Sequence, residues 1–354
     1  MATLAKYITY LDYFLFNPPN NLNSKIPLIS FQTRRAGVIS VMEYSTIKLK
    51  DGGIMPTIAI GTGTTFAFQN AFKVTEAIVD AVKKGYRHID TAQIYQTEEH
   101  VGKAIYQLIS EGVVQRQDLF ITSKMPPKDL SIEETLASVE GSLKRLGLEY
   151  LDCMMIHWPS APVGSNPDDP LLAGQTSDPE KAPEVRMTIW QALQNCVKMG
   201  KVKHLGLSNF GVSHIDALVK DPKCHTMPIL NQIEFNPYNV YDDIVASCNA
   251  LGITVQAYAP IGSGLKGQDN FKLVLDDPVL KGISRRIGCT VAQLSLAWAI
   301  RRNVPVVTKT ENRSRMDENL NCTKIVDLIT LDEMDKINGL NQNIVKFWNI
   351  TKFP

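Results

Sequence analysis

Three observations in the 354-residue chain predict an α/β fold, a parallel (β/α)8 TIM barrel with an N-terminal β-hairpin plugging one end. Short apolar runs suited to buried strands recur eight times, segments of helical period separate them, and a hairpin signature precedes the first.

The hairpin comes first. Thr46-Ile47-Lys48-Leu49-Lys50 alternates apolar and polar residues as a half-buried strand does, and Asp51-Gly52 supplies turn chemistry. The eight strands follow at 57–60, 86–90, 119–123, 150–156, 202–207, 228–233, 254–257 and 304–307. Among the helices, 132–146 is the clearest, with Leu136, Val139, Leu143 and Leu146 on one face. Ser131 and Glu134 form a capping box at its start, and Gly147 stands where a left-handed stop belongs. A doubly wound sheet is the rival fold. Its phosphate fingerprint is missing, because Gly61-Thr62-Gly63-Thr64-Thr65-Phe66 carries only two of the three required glycines. Two long connections, 158–183 and 262–280, follow the fourth and seventh strands. Both would rise from the C-terminal face, where barrel enzymes keep their chemistry.

Composition is that of an ordinary globule, 44% hydrophobic and 21% charged, and the net charge of +1 offers no field for nucleic acid or an anionic membrane. Six scattered cysteines lack any C-x-x-C pair, which argues against zinc-finger and thioredoxin chemistry and for reduced thiols. Met1 to Val41 differs from the rest: Lys6, Lys25, Arg34 and Arg35 face a single acid, Asp12. The expected organisation is therefore an extension over 1–42, disordered or targeting, followed by a barrel over 43–354. A cytoplasmic (or also nuclear) monomer is expected, mitochondrial if residues 1–41 act as a presequence.

Four polar residues close successive strands or the loops just beyond them: Asp90, Tyr95, Lys124 and His157. Singly they read as a helix cap, a loop aromatic, a solvated lysine and a packed histidine. At one mouth they make a proton-delivery site. A phenol is a weak acid near pH 7, and an adjacent ammonium lowers its pKa. Asp90 would keep that buried lysine charged, and His157 could donate a hydrogen bond to a carbonyl oxygen gaining negative charge. No H-x-H pair follows the first strand as a metal hydrolase requires, and no two glutamates close separate strands as in a glycosidase.

These residues lie in long, specific motifs. Gly85-Tyr86-Arg87-His88-Ile89-Asp90-Thr91-Ala92-x-x-Tyr95-x-x-Glu98, Ser123-Lys124 and Ile156-His157-Trp158-Pro159 resemble the aldo-keto reductase superfamily, from about Thr46 to the end of the chain. Gly206-Leu207-Ser208-Asn209-Phe210, Asn231-Gln232-Ile233-Glu234-Phe235 and Ala257-Tyr258-Ala259-Pro260 resemble its cofactor-binding strand ends. The flavour is that of fungal-type NADPH-dependent reductases of glycerol-like, α-keto or aliphatic carbonyls. The resemblance implies a general acid in Tyr95, tuned by Lys124 and Asp90, with His157 orienting the carbonyl and Trp158 walling the substrate. It implies that Ser208, Asn209 and Gln232 hold the nicotinamide carboxamide and that Tyr258 stacks on the ring, with Thr62, Asp90 and Ser263 also in the cofactor set.

Beyond the eighth strand, Lys309, Thr310 and Arg315 would surround one anion beside a helix starting near Ser314, with Glu318 and Asn319 on the face of Arg315. The family uses this corner for the adenosine 2′-phosphate, which implies NADP(H) rather than NAD(H). The chain departs from the family in carrying Thr308 and Thr310 around that lysine in place of Pro and Ser. It also has Gly63 where many relatives have Trp, which predicts a roomier mouth. Phe347 and Trp348, in the tail 341–354, read equally as lid residues or as packing anchors. The expected activity is NADPH-dependent reduction of a small aldehyde or ketone to an alcohol, with no metal. A redox-sensing or regulatory barrel without turnover is the alternative; hydrolysis or isomerisation would leave the anion corner unexplained.

Overall fold

The computed structural model describes residues 28–35, 38–63, 71–128, 130–161, 174–262, 274–345 and 349–354. Its N-terminal elements are antiparallel. Strand β1 (Leu28–Arg35) pairs with β2 (Val38–Lys48), and β2 pairs with β3 (Ile54–Pro56) through the turn at Asp51 and Gly52. Residues 28–42, placed in the extension by sequence, thus contribute β1 and the start of β2.

Eight parallel strands then close a barrel: β4 (Ile58–Gly61), β5 (His88–Asp90), β6 (Phe120–Met125), β7 (Leu151–Ile156), β8 (Val202–Ser208), β9 (Leu230–Glu234), β10 (Thr254–Tyr258) and β11 (Val306–Thr308). β11 hydrogen-bonds back to β4. Helices α1 (Ala71–Lys84), α2 (Glu98–Ser110), α3 (Ile132–Leu146), α4 (Ala182–Lys198), α5 (Val212–Lys220) and α6 (Asp242–Leu251) link consecutive strands up to β10. α7 (Pro278–Ile287) and α8 (Val291–Arg301) precede β11, and α9 (Arg313–Asn321) and α10 (Leu331–Asn338) follow it. The predicted strands are all present, displaced by at most a few residues.

Local chemistry sets the ends as the sequence implies. Ser131 Oγ accepts the Glu134 amide at 3.2 Å while Glu134 returns to the Ser131 amide at 2.8 Å, and Gly147 ends α3 at φ 64°.

Strand alternation sorts the side chains. In β7, Met154 and Ile156 face the helices and join the large apolar core, whereas Cys153 and Met155 point into the barrel. Leu49, Met55, Phe120, Ile229 and Leu230 complete that inner cluster, with Ile47 of β2 packed against it. The hairpin therefore closes the lower end of the barrel with apolar contacts. Lys50 Nζ donates to the Leu251 carbonyl, and His204 pairs with Asp51 at 2.6 Å, so the plug is also pinned at its turn. Above the apolar layer the inward positions become polar, and these form the mouth.

Candidate active site

The same alternation that turns Cys153 and Met155 inward carries on to His157, and it takes β6 from Phe120 through Thr122 to Lys124. Asp90 is the inward residue at the end of β5, opposite Thr122. Tyr95 arrives on a 3-10 turn, Gln93–Tyr95, whose exit is a left-handed Gln96 at φ 55°. Four residues scattered over sixty-odd positions thus meet because each sits at, or just beyond, a strand's C-terminal end.

Lys124 is wholly buried, and its Nζ donates to Asp90 Oδ1 at 2.5 Å and to the Thr91 carbonyl at 3.1 Å. Its ammonium lies 5.2 Å from the Tyr95 ring centroid. Tyr95 Oη stands 3.4 Å from His157 Nε2, and the two rings meet edge to face at 5.5 Å. Burial pulls the Lys124 pKa down, but Asp90 and then Tyr95 outweigh it, so the lysine stays cationic above its ordinary range. His157 is held neutral: burial first, and the Lys124 charge second, push its pKa well below 6.5. Tyr95 corrects one expectation. Lys124 does pull its pKa down, but burial pushes it up more strongly and Asp90 adds to the rise, so the phenol lies above 10. It therefore holds its proton at neutral pH.

The three strand ends opposite this group form one connected polar surface. Ser208 Oγ donates to the Gln232 carbonyl at 2.9 Å. Asn209, in the left-handed region at φ 61° that asparagine tolerates, donates to the His157 carbonyl at 2.9 Å and accepts from Tyr258 Oη at 2.8 Å. Gln232 Nε2 donates to Asp90 Oδ2 at 2.8 Å. Tyr95 and Tyr258 are both half-buried.

The anion corner is built differently. Asn312 caps α9 by accepting the Arg315 amide at 3.1 Å, and Thr310 Oγ1 accepts the Asn312 amide at 3.1 Å. Lys309 and Arg315 are exposed, and among the described residues neither forms an ion pair, whereas their neighbour Arg313 is held by Asp80 at 2.6 Å. Glu318 accepts from Thr290 Oγ1 at 2.6 Å, and Asn319 is half-buried on the same helix. α9 starts one residue before the position expected from sequence.

With this geometry in place, the chain matches the aldo/keto reductase family over residues 57–342. It belongs to that family. It is 34% identical over 301 residues to an aldo-keto reductase of Bombyx mori, covering 84% of this chain and 92% of that one. A glyoxal reductase of Bacillus subtilis is 36% identical over 299 residues, at 84% and 93% coverage, and prostaglandin F synthase 1 of Bos taurus is 33% identical over 303, at 84% and 92%. The crystal structure of the Bombyx mori aldo-keto reductase in complex with NADP superposes with a TM-score of 0.75 at 33% identity, covering 85% of this chain and 94% of that chain.

Within this aldo-keto reductase, other expected site residues fall as follows. Thr62 Oγ1 is occupied in a cluster with Thr91 and Thr97, both at 2.9 Å. Trp158 is fully buried behind His157, its ring 4.3 Å from the imidazole and its indole N–H bonded to Gln175. Gly63 does not leave an open mouth at its own position: a Cβ there would lie 2.7 Å from Tyr95 Cζ, so the phenol ring itself occupies the space. Ser263, Phe347 and Trp348 lie outside the described residues.

Sequence reasoning missed the residues that brace this wall. Phe353 packs with Trp158, Ala161 and Ile94, the neighbours of His157 and Tyr95. The buried Arg186 of α4 donates to the Pro354 carbonyl at 2.7 Å and to the Pro159 carbonyl at 3.3 Å, and His214 lies 3.2 Å from the Phe353 carbonyl. A buried arginine on an amphipathic helix carries no local sequence signal, because its partners lie far along the chain.

Proposed function

We propose that this chain reduces aldehyde or ketone groups of small molecules to alcohols with NADP(H), and that Tyr95 delivers the proton. The observation that carries this reading is the buried Asp90–Lys124 pair set beneath a protonated Tyr95 beside a neutral His157. Tyr95 has a proton to give and a cation beside it that stabilises the phenolate left behind. The neutral His157 imidazole faces the same point as Tyr95 Oη and can orient a carbonyl oxygen by hydrogen bonding. A bound NADPH would supply the hydride to the carbonyl carbon.

The residues present fit that cofactor. Ser208, Asn209 and Gln232 offer hydrogen-bonding atoms for the carboxamide, and the half-buried Tyr258 offers a flat face. Lys309, Thr310 and Arg315 suit the 2′-phosphate, since two exposed cations that form no ion pair among the described residues, beside a capped helix start, favour an anion. Glu318, Asn319, Thr62, Asp90 and Ser263 belong to the same proposed set, with the buried Trp158 backing His157 on the substrate side. A barrel that only bound the cofactor would have no use for an acid at this point. The narrower fungal-type likeness, to reductases of glycerol-like, α-keto or aliphatic carbonyls, forms part of the proposal.

No helix of the described residues is long and apolar enough to cross a membrane. Independently of that, we propose a monomer, cytoplasmic or also nuclear, or mitochondrial if residues 1–41 act as a presequence, with 1–42 outside a catalytic domain spanning 43–354. The deciding experiment follows the absorbance of NADPH with purified protein and a panel of aldehydes, α-keto esters, diketones and sugars. Substrate-dependent loss is expected, and Tyr95→Phe should slow it by about 10²–10⁴-fold while NADPH still binds. Near-normal turnover by that variant would remove Tyr95 from its role.

A further inference from the structure

Gln232 and Gln256 stand opposite each other on the paired strands β9 and β10, both pointing into the barrel. Both are buried, at 3% and 0% exposure. Gln232 Nε2 donates twice, to Asp90 Oδ2 and to Gln256 Oε1, each at 2.8 Å. A primary amide has two N–H donors, so both are spent inward. What Gln232 can still offer a ligand is its Oε1, an acceptor.

Gln256 is harder to account for as filling. Its own Nε2 is buried without a hydrogen-bond partner among the described residues. A leucine or methionine would fill similar space and carry no unpaired donor, so a purely packing role does not favour glutamine here. Its acceptor is the part in use. Together Asp90 and Gln256 give the Gln232 amide one orientation, because turning it over would set its oxygen against two acceptors.

We propose that Gln256 is a positioning residue: it locks the Gln232 amide so that one N–H stays on Asp90 and Oε1 faces the nicotinamide carboxamide. This rests on the NADP(H) reading above. The lock would make the cofactor's nicotinamide end and the Asp90–Lys124 pair share a single side chain. Without it, Gln232 is free to rotate, Asp90 loses a fixed donor, and the carboxamide N–H meets a less ordered acceptor.

The test separates the nicotinamide end from the phosphate end of the cofactor. Dissociation constants for NADPH and for adenosine 2′,5′-bisphosphate, which lacks the nicotinamide, are measured by quenching of protein fluorescence. The full-length wild type is compared with Gln256→Met, Gln232→Met and the double variant. Gln256→Met should weaken NADPH about 10-fold, equivalent to about 1.4 kcal/mol, and leave the bisphosphate within about 2-fold. In the Gln232→Met background the same substitution should have no further effect, since Gln256 acts through Gln232. Should Gln256→Met not fold, Gln256→Thr serves, because its hydroxyl is too short to reach the amide and it suits a strand. The proposal is overturned by an unchanged NADPH constant, by equal weakening of both ligands, or by additive effects in the double variant. A wild-type protein that binds the bisphosphate but gains nothing from the nicotinamide half also overturns it. If the wild type binds neither ligand, the cofactor reading itself fails, and the proposal with it.

Discussion

The mouth of the barrel holds two charged clusters assembled on opposite terms. In the catalytic cluster, Lys124 and Asp90 are almost wholly buried, they pair at 2.5 Å, and Asp90 takes a further donor from Gln232. In the anion corner, Lys309 and Arg315 stand exposed and form no ion pair among the described residues. Burial makes the first set strong and obligatory, since each charge depends on the other for what water would have supplied. Exposure makes the second set weak and available, open to the phosphate proposed for it and screened by salt. The same residue types therefore serve as internal framework in one place and, on the proposed reading, as recognition in the other.

The sharpest way to break this contrast is Lys124→Met. It strands the Asp90 carboxylate in the interior, and a loss of about 3–5 kcal/mol in urea unfolding is expected. Turnover should fall by at least about 100-fold, because Tyr95 loses its cation. A variant as stable and active as wild type would mean that the buried pair is not the framework of the site.

Acid should attack the buried set. Burial holds His88 and His214 near pKa 4, and His157 well below 6.5, so the folded protein resists protonation that the unfolded chain accepts. A depressed folded pKa means stability present above pH 6.5 and lost as pH falls toward 4. For the fully buried His88 the loss by pH 5 is about 2 kcal/mol. The decline in thermal midpoint between pH 7 and pH 5 should be shallower in His88→Gln. Parallel curves would show that His88 does not contribute.

At the exposed corner, Arg315→Ala should raise the NADPH dissociation constant about 10-fold, roughly 1.4 kcal/mol, and leave NADH nearly unchanged. Added salt should shrink that difference. Equal changes for both cofactors would refute the 2′-phosphate assignment. The smallest effect is expected from deleting residues 1–41, outside both clusters: the barrel should remain folded and active. Insolubility would show that β1 and the start of β2 are structural.

Much of this was legible in the chain order. Hydrophobic period two and period 3.6, with the Ser131–Glu134 box and Gly147, laid out the strands and α3, since those signals are local in sequence. The position of Asp90, Lys124 and His157 just at the ends of apolar runs located the mouth for the same reason. What the chain order does not encode depends on distance through space. Gly63 looked like missing bulk until the fold brought the Tyr95 ring against it. Tyr95 looked acidified by Lys124 until its own burial was known.

By itself the sequence determined the barrel, its plug, the four chemistry-bearing residues and the basic corner. Each is written in residue type and spacing over a few turns or strands. Tertiary structure alone decided that Gln232 reaches Asp90 and Gln256, that Trp158 is covered by Phe353, and that Arg186 holds the Pro354 carbonyl. Those contacts join residues 24 to 195 positions apart. Desolvation and hydrogen bonding across such gaps exist only once the chain has closed on itself, so no local pattern encodes them.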